Sequence, residues 1–522
     1  MQQEPRSVLV VGGGTAGWLA ASYLAATVGK TRGVTITLVE SPDIGVIGVG
    51  EATIPTLRRT ISELGIPEDE FLKGVNGAVK QAIRFQDWAR DPAQGRTHFY
   101  HPFHKASEAD IHAATQYLYF NPDAPLDAYA SLATAQTLAC ESNKAPHADD
   151  SKQGFIYAYH IDAILFGRFL RSRFEGKGVT RVEGEVRQVS RGADGDIEAV
   201  ILGSGQRLEA DLYVDCSGFR GLLINGALDV PFQSFRDWLP CDRAVAISVP
   251  YLPGERIRPY TVSTAQKAGW IWDINLASRR GVGHVFSTAH MSDDQAVEGL
   301  RAYLGRSWPQ GGEPRFIQMR VGRNQRLWER NCVAIGLAGG FVEPLESTGI
   351  YLIESGVRYL IDYWPTSGPS EAARWGYNRL MADAYDEVVQ FVLMHYVTSG
   401  RRDSDFWRDI TRPRPLPGDL HLHLEAWRHK YPSLYDAKSM SGSVFGYESY
   451  IAILAGMGWF KGIPSPFVMP DEAGLRRHLL QRRLALEAQV GSLPSRNGWQ
   501  GSTAGRADVP RSSPLASGQR SP

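Results

Sequence analysis

Four cysteines in 522 residues is few, and Cys140, Cys216, Cys241 and Cys332 lie far apart with no CxxC pair among them. A disulfide framework or a thiolate zinc site is therefore not indicated, no metal is expected, and a reducing cytoplasm is the expected compartment. An excess of charge is also absent, since 56 Lys and Arg offset 56 Asp and Glu. Without a long-range field the chain has no means of gathering nucleic acid or an acidic membrane surface, and a small neutral ligand suits it better. No internal repeat is apparent. One uncharged run, residues 7–29, is long enough to imitate a membrane span or a secretory leader, but four glycines fall between Gly12 and Gly17. Glycines at that density weaken a spanning helix, whereas a short strand, a glycine turn and a helix account for the whole run. Read this way, the chain carries no membrane segment and keeps its N-terminus.

What is present is a globular composition, 43% hydrophobic, enough to bury a large core. The pattern predicts a strand over 7–11, a helix over 18–28 and a second strand over 34–40, which together form a βαβ unit. From about 73 to 103 the sequence turns aromatic and charged, with Lys80, Ala82 and Arg84 alternating with Val79, Ile83 and Phe85 as on one strand. A helix is predicted over 162–174, with strands near 179–189, 197–202 and 212–214, the last running into Asp215-Cys-Ser-Gly218. An insert containing proline and tryptophan follows, and 332–337 reads as a buried strand ending in a glycine turn. After Tyr363 the chain reads as mainly helical, ending in a docking helix begun by Asp471, with Leu475, Leu479, Leu486 and Val490 near one face. The segment 493–522 has few apolar residues and is expected to be unstructured.

The expected fold is α/β. A Rossmann-like nucleotide-binding core is assembled from 1–72, 151–220 and 326–362, and an inserted and C-terminal, mainly helical substrate domain comes from 73–150, 221–325 and 363–492. The two form one compact unit. Gly12, Gly14, Thr15, Ala16 and Gly17 belong to a GxGxxG sequence between a predicted strand and a helix, where glycines let the backbone approach a pyrophosphate at a helix N-terminus. Glu40 ends the second strand, 23 residues beyond Gly17, where a carboxylate accepts hydrogen bonds from a ribose diol. Later glycine turns at Gly218 and Gly336 to Gly340 favour an extended flavin dinucleotide, FAD, over NAD. No second GxGxxG serves a nicotinamide, so reduced flavin is expected to come from a separate flavin reductase.

The stretch Phe341-Val-Glu-Pro344-Leu-Glu-Ser347-Thr-Gly349 matches the FxxPxxSxG pattern of flavin-dependent halogenases, and Glu343 to Ile350 resembles the tryptophan halogenases in particular. Gly48-Val-Gly-Glu-Ala-Thr-Ile-Pro55, Lys80 in Ala-Val-Lys-Gln-Ala-Ile, His101-Pro-Phe103 and Trp270-Ile-Trp272 resemble the same family, whose likeness extends to about Trp459. One departure is Asn275, where the family's WxWxIP stretch has proline. The motif is thought to separate substrate from flavin, and loss of the proline is expected to free the backbone there.

The resemblance implies a GR2/monooxygenase-type FAD-binding core that uses FADH2, oxygen and a halide, chloride or bromide, to make hypohalous acid for an indole-type aromatic substrate. It implies Lys80 as the group that holds or captures hypohalous acid, Glu346 as the base that stabilises the ring cation and takes its proton, and Ser347 as the link between flavin site and substrate pocket. Thr348 and Gly349 would bind halide. Ala52, Val186, Leu337 and Ile350 would join the glycine turn and Glu40 around the flavin. His101, Phe103, Trp459, Tyr447 and Glu448 would line the substrate pocket, although Tyr447, Glu448 and Tyr450 do not show the family's tyrosine pair clearly. A homodimer is a family-level expectation. Read without the resemblance, Lys80 and Glu346 are as well explained by a structural ion pair. The competing functions are a flavin-dependent aromatic monooxygenase, which needs no Lys80 and no halide site, and a silent FAD-binding scaffold.

Overall fold

A computed structural model describes residues 4–42, 50–103, 106–148, 154–368, 370–439, 444–461, 463 and 472–496. Gly48 and Val49 of the second motif, Asp471 and residues 497–522 of the tail lie outside the described residues.

The chain is a mixed α/β structure built on two large sheets. The first has six strands in the order Trp328–Glu329, Cys332–Ala334, Leu212–Asp215, Ser7–Val11, Thr35–Glu40 and Val179–Glu183. Every pairing in it is parallel except that of the edge strand Trp328–Glu329. Val8, Leu9, Val10 and Val11 are all buried, the signature of a parallel strand covered on both faces. The helix Thr15–Leu24 opens directly from the glycine turn and packs on the helix Ala163–Phe174, whose first turn is capped by Asp162 through Ile164 and Leu165 N–H. The predicted helix over 18–28 thus starts at Thr15, and its last part, Ala25–Gly29, widens into a π turn.

Three glycine turns leave the same carboxyl edge of this sheet. Gly12 follows Ser7–Val11 at φ 118°, Gly218 follows Leu212–Asp215 at φ 72°, and Gly336 follows Cys332–Ala334 at φ 69°. They meet: a Cβ on Gly12 would stand 2.2 Å from Cys216 O, and one on Gly336 would stand 2.6 Å from Ala16 Cβ. Ligands of open α/β sheets bind at such carboxyl edges.

The second sheet has seven strands, in the order Arg315–Gln318, Arg243–Pro250, Arg279–Phe286, Gly269–Asn275, Tyr260–Gln266, Ala82–Gln86 and His98–Pro102. The insert is therefore mainly strands, which corrects the expectation of a mainly helical substrate domain for this part. Its runs alternate short apolar and polar residues and close as tight hairpins, so their periodicity is that of sheet. The single strand read across Val79 to Phe85 is also corrected. Ala78–Lys80 belongs to a small three-stranded sheet with Gly50–Ala52 and Ala158–Asp162, while Ala82–Gln86 enters the seven-stranded sheet. Gln81 makes the switch, its N–H donating to Pro259 O at 2.7 Å.

After Tyr363 the described residues are helical, as expected. In Glu472–Gly491, Leu486 and Val490 dock on Ala135, Ala139 and Phe155. The expectation of an unstructured tail from 493 fails at its start. Lys144 Nζ donates to Leu493 O at 2.7 Å, Ala145 N to Pro494 O at 3.0 Å and Arg496 N to Asn143 O at 3.0 Å, so backbone hydrogen bonding holds what composition could not. No helix among the described residues is long and apolar enough to cross a membrane.

Candidate active site

Lys80 ends its short strand fully buried, with Nζ donating to Thr53 O at 2.9 Å and to Ser347 Oγ at 2.8 Å. Its ammonium position lies 4.8 Å from the centre of the Phe103 ring. Burial pulls the amine down to about 7, against the opposing charges of Glu346 and Glu51. Desolvation in turn pushes the Glu51 carboxyl up to about 7, with Lys80 pulling the other way.

Ser347, the residue that fixes Lys80, is in the left-handed conformation at φ 62°, a costly setting for a side chain that recurs at functional sites. It follows the short turn Pro344–Glu346, and Thr348 then precedes the helix Gly349–Asp362 without a side-chain bond to it. The first N–H groups of that helix have no partner within it. Thr348 is fully buried and its Oγ1 has no hydrogen-bond partner. An orphaned hydroxyl beside free helix N–H groups suits an anion, and Gly349 leaves room for close approach, with only Glu51 Oε1 within 4 Å of a built Cβ, at 3.4 Å.

Glu346 is 1% exposed and held by two histidines, His101 Nδ1 at 2.8 Å on Oε2 and His395 Nε2 at 2.8 Å on Oε1. Burial alone would raise its pKa, but His101 and His395 together hold it down to about 2. The structural alternative for the two charged residues, a Lys80–Glu346 ion pair, is not formed, because each has its own partners.

The motif tryptophans stand behind this turn. Trp270 Nε1 donates to Glu343 Oε2 at 2.7 Å, and Tyr396 OH donates to the same oxygen at 2.7 Å. Burial pushes the Glu343 carboxyl up to about 7 despite these two bonds. Trp272 lies over Gly283, where a Cβ would come within 2.2 Å of its ring, and its Nε1 has no hydrogen-bond partner. Asn275 does not loosen the end of this strand. It is fully buried, its O accepts from His160 Nδ1 at 3.0 Å and its Oδ1 accepts from Arg258 N at 3.0 Å. The expected gain in backbone freedom is thus opposed by the bond from Arg258 N–H to Asn275 Oδ1, which proline cannot accept.

The residues at the glycine edge suit an extended dinucleotide. A Cβ on Gly14 would meet nothing within 4 Å, whereas one on Gly17 would stand 1.8 Å from Gly12 O. Gly17 is thus required by the fold, and Gly14 is glycine although the protein itself leaves space there. Gly218 is open in the same way. Thr15 Oγ1 donates to Ala163 O at 2.8 Å, tying the turn to the neighbouring helix. Glu40 stands against Gly13, accepting from Trp18 Nε1 at 3.2 Å and Arg171 at 3.2 Å, and pairing with Arg181. Ala52 and Ile350 are buried, and Leu337 is half-buried beside Gly336. Val186 packs among Leu9, Val11 and Val39 in a small apolar cluster.

Lys80, Glu346, Ser347, Thr348, Gly349, His101 and Phe103 therefore lie together in one cluster, most of it buried. Tyr447 and Glu448 open the helix Tyr447–Gly456, which packs on the strand carrying His101. Trp459 lies just beyond it with the Arg428 guanidinium 4.3 Å from its ring centre. Sequence reading missed Glu51, Glu343, His395 and Tyr396. Glu51 and Glu343 lie inside the quoted motifs, and His395-Tyr396 is a polar pair within the apolar run Val388 to Val397, a pattern that marks buried hydrogen-bonding groups.

Comparisons with known proteins identify the family. The family profile described as tryptophan halogenase matches residues 7–469. The tryptophan 6-halogenase of Streptomyces toxytricini is 37% identical, covering 94% of this chain and 97% of its own. Its solved structure superposes with a TM-score of 0.88 over 95% of this chain and 99% of its own. The tryptophan 7-halogenase of Lentzea aerocolonigenes is 36% identical over 88% of this chain and 91% of its own. A flavin-dependent halogenase from Brevundimonas sp. BAL3 has a TM-score of 0.83 at 35% identity, covering 95% of this chain and 98% of its own. With the profile spanning nearly the whole fold and relatives 36–37% identical over most of both chains, the chain belongs to the tryptophan halogenase family and is a flavin-dependent halogenase, an oxidoreductase.

Proposed function

We propose that this protein halogenates an indole-type aromatic, either tryptophan, indole or a larger indole-containing compound. It would use FADH2 from a separate flavin reductase, with oxygen and chloride or bromide, and work in the cytoplasm. The observation that carries the reading is the placing of Lys80. It is a fully buried amine, brought down to about 7 and bonded to Ser347 rather than to an acid, beside a carboxylate held ionised by two histidines.

Gly12, Gly14, Thr15, Ala16, Gly17 and Glu40, with Gly218 and Gly336, would hold the dinucleotide, and Ala52, Leu337 and Ile350 would border its ring. Val186 would support that edge from the adjoining apolar cluster. Bound FADH2 would supply two of the four electrons that reduce oxygen, the halide giving up the other two as it becomes hypohalous acid. Thr348 and Gly349 N–H groups and the Thr348 hydroxyl hold the halide without a full positive charge. The Lys80 amine hydrogen-bonds hypohalous acid or captures its halogen, the second of which needs the neutral amine because an ammonium has no lone pair. His101 and Phe103 stack the substrate ring, with Trp459, Tyr447 and Glu448 bounding its outer end. Glu346 stabilises the ring cation and accepts the proton lost on rearomatisation. Ser347 holds Lys80 in place by their shared hydrogen bond.

The test is mass spectrometry of reactions containing FAD, a flavin reductase, NADH, oxygen and bromide or chloride, with indole and L-tryptophan offered in parallel. Product with the halogen isotope pattern supports the proposal, and the preferred acceptor names the substrate. A gain of one oxygen would instead indicate a monooxygenase.

A further inference from the structure

His395 stands in the last turn of the helix Glu371–Val397, fully buried, with the rings of Phe85, Phe391 and Trp88 centred 4.9, 5.3 and 6.2 Å away. Its Nδ1 lies 2.8 Å from Phe391 O. A backbone carbonyl only accepts, so Nδ1 carries a hydrogen. Its Nε2 lies 2.8 Å from Glu346 Oε1. An ionised carboxylate also only accepts, so either Nε2 carries a hydrogen as well or Glu346 is protonated. In both cases the pair contains one proton beyond those of a neutral imidazole and a carboxylate, and its net charge is zero. The other Glu346 oxygen lies 2.8 Å from His101 Nδ1. The position of His395 in the last turn of a 27-residue helix also favours a cation.

We infer that His395 is the charge-compensating and positioning partner of Glu346, holding that extra proton on its own ring and so allowing Lys80 to exist as the neutral amine. This rests on the proposed role of Lys80. The titratable groups around the pair are few. From the strand His98–Pro102 comes His101, and from the motif turn come Glu346 and Glu343, the latter turned to Trp270 and Tyr396. Strand Ala82–Gln86 presents Phe85 to the ring. Beyond Ser347 lie Lys80 and Glu51. Were His395 neutral, an uncompensated Glu346 charge would favour the ammonium form of Lys80. A histidine that merely filled an aromatic box would leave the amine unaffected.

The test is NMR of ligand-free protein labelled with 15N-histidine at neutral pH, with His395→Gln used to assign the ring. Both ring nitrogens of His395 are expected to bear protons, and Glu346→Gln is expected to convert the ring to its single N–H form. In His395→Gln a neutral amide replaces the cation, and the ascending limb of the pH–activity profile is expected to move alkaline by about one unit or more with FAD affinity unchanged. A single ring N–H in the wild-type protein overturns the inference at any level of activity, and so does a His395→Gln profile that superimposes on the wild type. If His395→Gln does not fold, the doubly protonated signal that is lost in Glu346→Gln but kept in His101→Asn provides the assignment. The ring measurement uses no flavin, halide or substrate, so its result is independent of whether the enzyme halogenates.

Discussion

Lys80 and Glu346 share one buried pocket without pairing: the amine donates to Thr53 O and Ser347 Oγ, while the carboxylate is held by His101 and His395. A direct ion pair would have fixed Lys80 as an ammonium. Separate partners leave the two groups available for different steps, one handling an electrophile and the other a proton.

Replacing the lysine should separate function from stability. The Lys80 pKa falls from 10.5 to about 7 on folding, because burial opposes its charge. Between those two values the unfolded chain binds a proton that the folded chain does not, so this group's contribution to stability rises with pH across that window and is least favourable at and below pH 7. Lys80→Met is expected to abolish halogenation, to leave FAD affinity within about twofold, and to raise the Tm at pH 7 by about 2 °C or more, a gain that shrinks as the pH rises from about 7 toward 10.5. Calorimetry across pH checks the sign, and a lowered Tm at pH 7 would show that the lost bonds to Thr53 and Ser347 outweigh the buried charge.

Glu346→Gln removes both a proton acceptor and a negative charge. The charge of Glu346 raises the Lys80 pKa, but His395 gives up its extra proton in the same variant, so the ascending limb of the activity profile should move only slightly, toward acid pH. The rate at the plateau should fall by about 10²-fold or more as the base is lost. A profile that moves to alkaline pH would contradict this arrangement of charges.

The parts legible in the sequence were those set by local pattern or by motif. The strand, turn and helix at residues 7–24 followed from β-branched spacing and glycines, and Lys80, Glu346 and Ser347 from family motifs that the structure gathers into one pocket. Pairings made across long separations were not legible. His395 meets Glu346 across 49 residues, and the strand Tyr260–Gln266 lies parallel to Ala82–Gln86, which forces the break at Gln81 that a continuous alternation from Val79 to Phe85 conceals. Burial and partner choice at such points belong to tertiary packing, which overrides local propensity.

Gly14 offers a direct test of the dinucleotide edge. It caps the helix Thr15–Leu24 in an extended conformation, φ −74° and ψ −174°, which any residue adopts, and a Cβ there meets nothing within 4 Å. Gly14→Thr should therefore fold with a Tm close to wild type, since threonine and glycine serve about equally as helix N-caps. Its side chain would occupy the approach to the helix N-terminus, and FAD affinity, followed by flavin fluorescence, should fall by about tenfold or more. Unchanged affinity would place the dinucleotide elsewhere. Gly17→Ala should instead fail to fold stably, because its Cβ would lie 1.8 Å from Gly12 O.

Asn275 allows the family's proline to be restored and its consequence measured. The residue is fully buried at the end of Gly269–Asn275, and two of its groups hold neighbours: its carbonyl accepts from His160, and its Oδ1 accepts from the Arg258 N–H. Asn275→Pro keeps the first acceptor and deletes the second. An amide N–H deprived of its partner in a buried setting costs about 1–3 kcal/mol, more than the few tenths to about 1 kcal/mol that proline returns by restricting the unfolded chain. Denaturant unfolding should show a net loss of stability. The fraction of reducing equivalents recovered as halogenated product should not increase, because the two tryptophans are set by Glu343 and Gly283, not by residue 275. A variant that is both more stable and better coupled would mean that asparagine does loosen the wall between flavin and substrate, and that the side-chain bonds seen here do not compensate for the missing ring.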